Sequence, residues 1–246
     1  MSKRPFTRLD ALWGKMLSDY RIDSLHMADF VRPYGRYIGM YPELKLALFA
    51  KAVKTIKANA EYSLSVDVPL PDYRRSFSKD FQRNILSPYA VAFIGMCQFN
   101  AKLARGNRYP DKLSYVMDTG NPYSGQVQLG HAFQVFVEKA FGQRFTGRLT
   151  FESDDGNTAL QAADVISWSV QRRSANALTG EFAPLEELFK SRHTRDNVPI
   201  SPHYFYSVKA EMLGKLKRLS DAAQVKGIPP ELQKLLEAAN GDGDVQ

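Results

Sequence analysis

The chain has 246 residues, one cysteine and a formal net charge of +7. A single cysteine excludes an intramolecular disulfide and a cysteine-based zinc site, and no segment approaches the roughly 20 consecutive apolar residues that a membrane span requires. No apolar segment of a secretory signal follows Met1, so we expect a cytoplasmic protein whose positive charge favours a polyanionic partner such as nucleic acid.

The first half of the chain predicts helices with one strand between them. Apolar residues recur at helical spacing in three segments, and a fourth segment alternates apolar and polar residues as a strand does. The buried thiol of Cys97 is expected to be inert, because it lies in the most apolar of these helices. The predicted elements are helices over 6–20, 42–58 and 88–103, a strand over 61–68, and a proline-containing loop over 69–75.

The second half alternates strands and helices more regularly, which predicts a layered α/β domain. We expect one domain over 1–225, followed by a C-terminal helix and a frayed tail over 226–246. Thr158 and Gln161 have the spacing of a capping box that begins a helix. The predicted elements are strands over 112–118, 148–152 and 203–208, and helices over 123–141, 159–173, 209–219 and 229–239.

Asp118 is the first candidate functional residue, because it ends a strand and precedes Thr119 and Gly120. Ligands of α/β domains commonly bind at the carboxyl ends of strands. The alternative is that Asp118 initiates a turn by bonding its side chain to nearby backbone. The sequence leaves both interpretations open.

Gln161 and Asp164 are three residues apart and share one face of a predicted helix. An acid within such an apolar helix is costly to bury unless it is paired or binds a cation. A helix dipole would also favour an acid in the first turns, without any function.

Five further residues are candidates beside Asp118 and Asp164. His26 and Asp29 would share a face if they begin a helix, where they would bind a metal or transfer a proton, or serve as a structural histidine and a helix cap. Glu152 ends a strand and would complete a carboxylate cluster. Arg172 and Arg173 are candidate phosphate contacts, although such pairs are usually solvated.

Three of these segments, in this order, resemble a large family of bacterial and phage proteins catalogued as domain of unknown function 3800. The segments are HMADF (26–30), SYVMDTGN (114–121) and LQAADVISW (160–168). The resemblance runs over about 6–173, and the last segment is its most specific part.

The resemblance implies a ribonuclease H-like fold, in which helices flank a mixed sheet and acidic residues meet at one edge. Carried over by position, Asp118 and Asp164 would be the catalytic carboxylates, holding Mg²⁺ or Mn²⁺ for hydrolysis of phosphodiester bonds in nucleic acid. His26 and Asp29 match a polar motif of the family.

Members of the family usually begin with a strand that carries an acidic motif similar to Asp-Glu-Ser-Gly, and a second strand follows. Nothing of that kind precedes Phe6. We therefore expect one or two N-terminal strands and the first catalytic carboxylate to be missing, through a misplaced start or a truncated copy. An uncovered sheet edge would favour a homo-oligomer. The alternative function is a non-catalytic member of the same fold that binds nucleic acid or protein.

Overall fold

The computed structural model describes residues 6–226 except for 33, 35, 85, 108–111, 121, 141, 143, 191, 194–198 and 201–202. Its helices are α1 (Phe6–Asp19), α2 (Pro42–Asn59), α3 (Leu70–Ser76), α4 (Lys79–Asn84), α5 (Pro88–Asn107), α6 (Ser124–Ala140), α7 (Thr158–Ser174) and α8 (Ala210–Lys226). Its strands are β1 (Ser63–Asp67), β2 (Leu113–Asp118), β3 (Thr146–Glu152), β4 (Arg192–His193), β5 (Pro199–Ile200) and β6 (His203–Ser207). Short 3-10 helices cover Met27–Phe30, Asp154–Gly156 and Gly180–Phe189.

The protein is mixed α/β and mostly helical, as the alternation of patterns predicts. In the described ranges the strands pair two by two, as β1 with β6, β2 with β3, and β4 with β5. A larger mixed sheet of the ribonuclease H type therefore stays a prediction. No helix within these ranges is both long and apolar enough to cross a bilayer. The helix predicted over 229–239 lies outside the described residues.

The loop prediction over 69–75 is wrong, because this segment contains helix α3. Pro71 lies in the first turn of α3. A proline is accommodated there because the backbone N–H that it lacks would have no partner within the helix. The prolines in this segment therefore mark the start of a helix rather than its absence.

The chain divides into two compact units, and each unit is built from two separate segments. The first comprises 1–65 and 152–204, and the second comprises 66–151 and 205–246. This division into units does not test whether residues 1–225 form one domain, so that expectation stays a prediction.

The first unit packs α1, α2, α7 and the 3-10 helix Gly180–Phe189 around one apolar core. Apolar side chains recur on the inward faces of these helices, so burial of those faces stabilises their packing. The fully buried members of this core are Trp13, Met16, Leu25, Met27, Leu48, Phe49, Ala52, Val165 and Leu185.

The second unit packs α3 against α8 and α5 against α6. Its strands β2 and β3 approach closely at Gly147, where a Cβ atom would lie 2.8 Å from the carbonyl oxygen of Leu113. Only glycine fits this approach without displacing the neighbouring backbone.

Cys97 lies in α5 and is fully buried, which confirms the prediction of an enclosed thiol. Burial raises the pKa of the thiol to about 12. Because the thiolate is the reactive form, we expect no reaction of the native protein with a chromogenic disulfide reagent at pH 8. One thiol per chain should react after unfolding in urea, and rapid labelling of the native protein would contradict this burial.

Candidate functional site

The candidate site lies in the first unit, where His26 stands beside two carboxylates. Its Nδ1 atom is 3.2 Å from Asp154 Oδ2 and 3.4 Å from Asp164 Oδ2. Asp154 belongs to the 3-10 helix before α7, and Asp164 lies within α7. Asp164 Oδ2 also accepts a hydrogen bond of 2.8 Å from the backbone N–H of Met27. The side chain of Asp164 is thereby fixed next to the histidine.

His26 Nδ1 lies close to both carboxylates, but the angles of these contacts fall outside hydrogen-bond geometry. This atom is buried, and within the described residues it has no partner that meets hydrogen-bond geometry. The two carboxylate oxygens therefore lie near the nitrogen without being aligned with its in-plane N–H or lone-pair direction. A buried polar atom in that state needs an explanation beyond ordinary packing.

Gln161 holds the segments of this site together. Its Oε1 accepts hydrogen bonds from Trp13 Nε1 at 2.9 Å and from the backbone N–H of Leu25 at 3.0 Å. Its Nε2 donates to the backbone carbonyl oxygen of Asp154 at 2.9 Å. The side chain is 2% exposed, so it satisfies these backbone and indole groups without help from solvent.

The capping-box prediction for Thr158 and Gln161 is wrong in its details. The residue that caps α7 is Asn157, whose side chain accepts hydrogen bonds from the backbone N–H groups of Ala159 and Leu160. Glu152 accepts a hydrogen bond of 2.6 Å from Asn157 Nδ2 and so supports the cap. The Gln161 side chain bonds to α1 and to the 24–27 segment instead of returning to the N-cap, because those segments present buried donors to it.

Asp29 and Asp155 form a second group of charges in which Arg36 takes part. Arg36 Nε lies 3.8 Å from Asp29 Oδ2, and one terminal nitrogen of Arg36 lies 3.7 Å from Asp155 Oδ1. Arg32 lies 3.4 Å from Asp29 Oδ1. The arginine side chains are 55–60% exposed, so these ion pairs are weak in water and can give way to an incoming anion.

Tyr37 fixes the loop that carries these arginines. Its hydroxyl donates to the backbone carbonyl of Ser24 and accepts a hydrogen bond of 3.4 Å from the backbone N–H of His26. Its ring stacks on Phe30 with a centroid separation of 3.9 Å. Burial raises the pKa of Tyr37, so its hydroxyl stays protonated and keeps donating.

The atoms around His26 Nδ1 are of the types that bind divalent cations. Neighbouring ligand atoms around an ion bound at about 2.1 Å are separated by about 3.0 Å in an octahedron and about 3.4 Å in a tetrahedron. The distances from Nδ1 to the two carboxylates fall in this range. In the described part of the chain, no group of three or more His, Cys, Asp or Glu side chains is placed so that it could hold a metal ion.

The other predicted site residues lie elsewhere. Asp118 ends β2 in the second unit, whereas Asp164 lies in the first. An oxygen of Asp118 lies 3.0 Å from where a Gly120 Cβ would be, so its side chain folds over the following turn. This position fits the turn interpretation, and a catalytic role for Asp118 stays a prediction.

Arg172 and Arg173 contact aromatic rings and an acid within the first unit. Arg172 lies over the ring of Trp168 at 4.8 Å, and Arg173 lies over Phe189 at 4.6 Å. Arg173 Nε also pairs with Glu186 at 3.0 Å. These cation–π contacts orient the guanidinium groups. A phosphate contact by either arginine stays a prediction.

The sequence does not predict Asp154, Arg36 or Tyr37 as parts of this site. In the sequence, Asp154 lies among the turn-forming residues 154–157, and its place just before the helix of Asp164 is the signal that points to it. Arg36 and Tyr37 lie in an irregular segment where no periodicity predicts a direction for the side chains.

Comparison of the chain with protein-family models, with curated proteins and with solved structures found no match. The resemblance to the family of domain of unknown function 3800 accordingly stays a prediction that the three segments carry.

Proposed function

We propose that this protein is a divalent-metal-dependent phosphodiesterase that acts on nucleic acid, with its centre at His26, Asp154 and Asp164. The observation that carries the proposal is the buried, unaligned Nδ1 of His26 within 3.4 Å of two carboxylate oxygens. The resemblance to a ribonuclease H-like family, the mixed α/β composition and the net charge of +7 give further support.

The donor set also bears on which metal would bind. Carboxylate oxygens suit both Mg²⁺ and Mn²⁺, and Mn²⁺ accepts an imidazole nitrogen beside them more readily than Mg²⁺, which prefers oxygen ligands alone. When bound, a divalent ion would act as a Lewis acid on a phosphoryl oxygen of the substrate. We therefore propose that the site binds Mn²⁺, and binds Mg²⁺ more weakly.

The residues of the chain supply the positions for this chemistry. Met27 fixes the carboxylate of Asp164 through its backbone N–H. Gln161 fixes the backbone of Asp154. Arg36, exposed beside Asp155, supplies a positive charge for a phosphate of the substrate.

The alternative is a nucleic-acid-binding protein without catalysis. The observation in its favour is that His26, Asp154 and Asp164 also tie together the 24–27 segment, the 3-10 helix and α7. A charged cluster with that role stabilises a fold without any chemistry.

The test is a cleavage assay of the purified protein at low salt, where phosphate contacts are strongest. Labelled single-stranded DNA, duplex DNA and RNA–DNA hybrid are incubated with Mn²⁺, Mg²⁺ or chelator. Asp164→Asn retains an acceptor oxygen for Met27 but removes a charge from the metal ligands. We expect the metal-dependent activity of D164N to be at least about 100-fold lower than that of the wild type. This factor corresponds to a loss of about 2.7 kcal/mol of transition-state stabilisation.

The matched control is Asp221→Asn, which changes an exposed acid of α8 and should leave activity unchanged. Calorimetric titration with Mn²⁺ should show weaker binding to D164N and to His26→Ala. Metal-independent cleavage, or full activity in D164N, would contradict the proposal. Binding of nucleic acid without cleavage by the wild type would favour the alternative.

A further inference from the structure

The loop between the 3-10 helix Met27–Phe30 and α2 exposes large apolar side chains beside the candidate site. The exposed fractions are 82% for Tyr34, 71% for Ile38 and 72% for Tyr41, the highest among the large apolar residues described. Single exposed apolar side chains are ordinary, but three of them within eight residues make this loop a candidate binding surface.

The same loop is anchored at the site from its inner side. Tyr37 is 5% exposed, stacks on Phe30, and bonds to the backbone of Ser24 and His26. Arg36 Nη1 donates to Ser24 Oγ at 3.0 Å. The tyrosine that turns inward thus fixes the backbone from which its neighbours turn outward.

Chain geometry keeps the exposed rings near the charged cluster. Tyr34 is two residues from Arg36 and Tyr41 is four residues from Tyr37, which limits the Cα separations to about 7 Å and about 14 Å. Arg36 itself approaches Asp29 and Asp155. A strand whose phosphate met Arg36 would therefore bring neighbouring bases within reach of these rings.

Resting on the proposed function, we infer that the substrate is single-stranded nucleic acid whose bases stack on Tyr34 and Tyr41. Exposed aromatic rings interleaved with arginines are the features that hold single strands, since every unpaired base offers a face for stacking. Bases within a duplex are already stacked on one another. Arg32 and Arg36 pair with Asp29 and Asp155 at 3.4–3.8 Å. These exposed pairs are weak in water, so a phosphate can replace the carboxylates, which favours a nucleic acid over an uncharged apolar partner.

The inference is tested by binding, separately from cleavage. Fluorescence anisotropy is measured with a labelled 15-nucleotide oligothymidylate and a labelled 15-base-pair duplex, in chelator and at low salt. We expect the wild-type chain to bind the single strand at least tenfold more tightly than the duplex. The double variant Tyr34→Ala/Tyr41→Ala should bind the single strand at least tenfold more weakly than the wild type.

Two further variants separate stacking from folding. Tyr34→Phe/Tyr41→Phe keeps both rings and should bind within about twofold of the wild type, as should the control Tyr123→Ala, which changes an aromatic ring of the second unit. Equal affinity for duplex, or unchanged affinity in the double alanine variant, would overturn the inference. The anisotropy is measured in chelator and therefore does not depend on metal binding. Selective binding of the single strand, together with no cleavage in the assay with Mn²⁺ or Mg²⁺, would contradict the proposed function and leave this inference standing.

Discussion

Replacing Gln161 with alanine is expected to lower the free energy of unfolding by about 3 kcal/mol, because two buried donors lose the acceptor that they have among the described residues. These donors are the indole N–H of Trp13 and the backbone N–H of Leu25. Trp13 is fully buried and Gln161 is 2% exposed, so solvent does not replace the lost amide oxygen. Removal of the side chain also leaves a cavity in the first unit, which adds to the loss.

The measurement is urea unfolding at pH 7, followed by circular dichroism. The matched control is Gln171→Ala in the same helix, where the side chain is exposed and the change should fall within about 0.5 kcal/mol of zero. A loss in Q161A no larger than that of the control would mean that the network contributes little. It would also remove the reason to regard Gln161 as the residue that positions Asp154.

Replacing Glu138 with glutamine is expected to cost about 2 kcal/mol of unfolding free energy, because the charged acceptor of several hydrogen bonds becomes neutral. The Glu138 carboxylate, 4% exposed, accepts from Gln134 Nε2 at 3.0 Å and from the backbone N–H groups of Phe145 and Thr146 at 2.9 and 2.8 Å. Thr146 Oγ1 donates to it as well, at 2.7 Å. An amide in its place presents N–H groups toward some of these donors.

This carboxylate also predicts how stability depends on pH. Burial acts to raise the pKa of Glu138, but the hydrogen bonds from Gln134, Thr146 and Phe145 outweigh it and leave the pKa below the ordinary value of 4.5. A group with a lower pKa in the folded state stabilises the protein above its unfolded pKa, and this contribution is lost as pH falls through the folded pKa.

Unfolding of the wild type and E138Q should therefore differ most at neutral pH and progressively less below about pH 4.5. The control is Glu61→Gln, an exposed acid for which little difference is expected at any pH. A difference between wild type and E138Q that stays constant down to pH 3 would show that the carboxylate charge is not what stabilises this part of the second unit.

The sequence predicted those elements whose pattern is local. Helical spacing of apolar residues predicts α1 and α7, and alternation predicts β1, all of which the structure contains. The spacing of Gln161 and Asp164 likewise places them on one helix face, where both are used. In each case the information lies within a few neighbouring residues, so tertiary contacts were not needed to read it.

The sequence did not predict the pairings that make the site. Met27 and Asp164 are 137 residues apart, and nothing in either segment alone specifies the other. The sequence correctly predicts a helix that begins at Pro88, but it places Pro71 in a loop, whereas Pro71 lies in the first turn of α3. What a proline does depends on whether its missing N–H would have had a partner, which is a property of the folded chain.

Each unit is built from two segments that are far apart in the sequence, and this affects when their contacts can form during synthesis. The indole of Trp13 meets its acceptor on Gln161, which follows 148 residues later. At ribosomal rates of about 5–20 residues per second, Gln161 is synthesised roughly 7–30 s after Trp13. During this interval the apolar face of α1 has no partner from α7 to cover it, so we expect the nascent chain to depend on chaperones more than a protein with local contacts does. Slowing elongation between codons 66 and 151 should therefore lower the yield of native protein in cells.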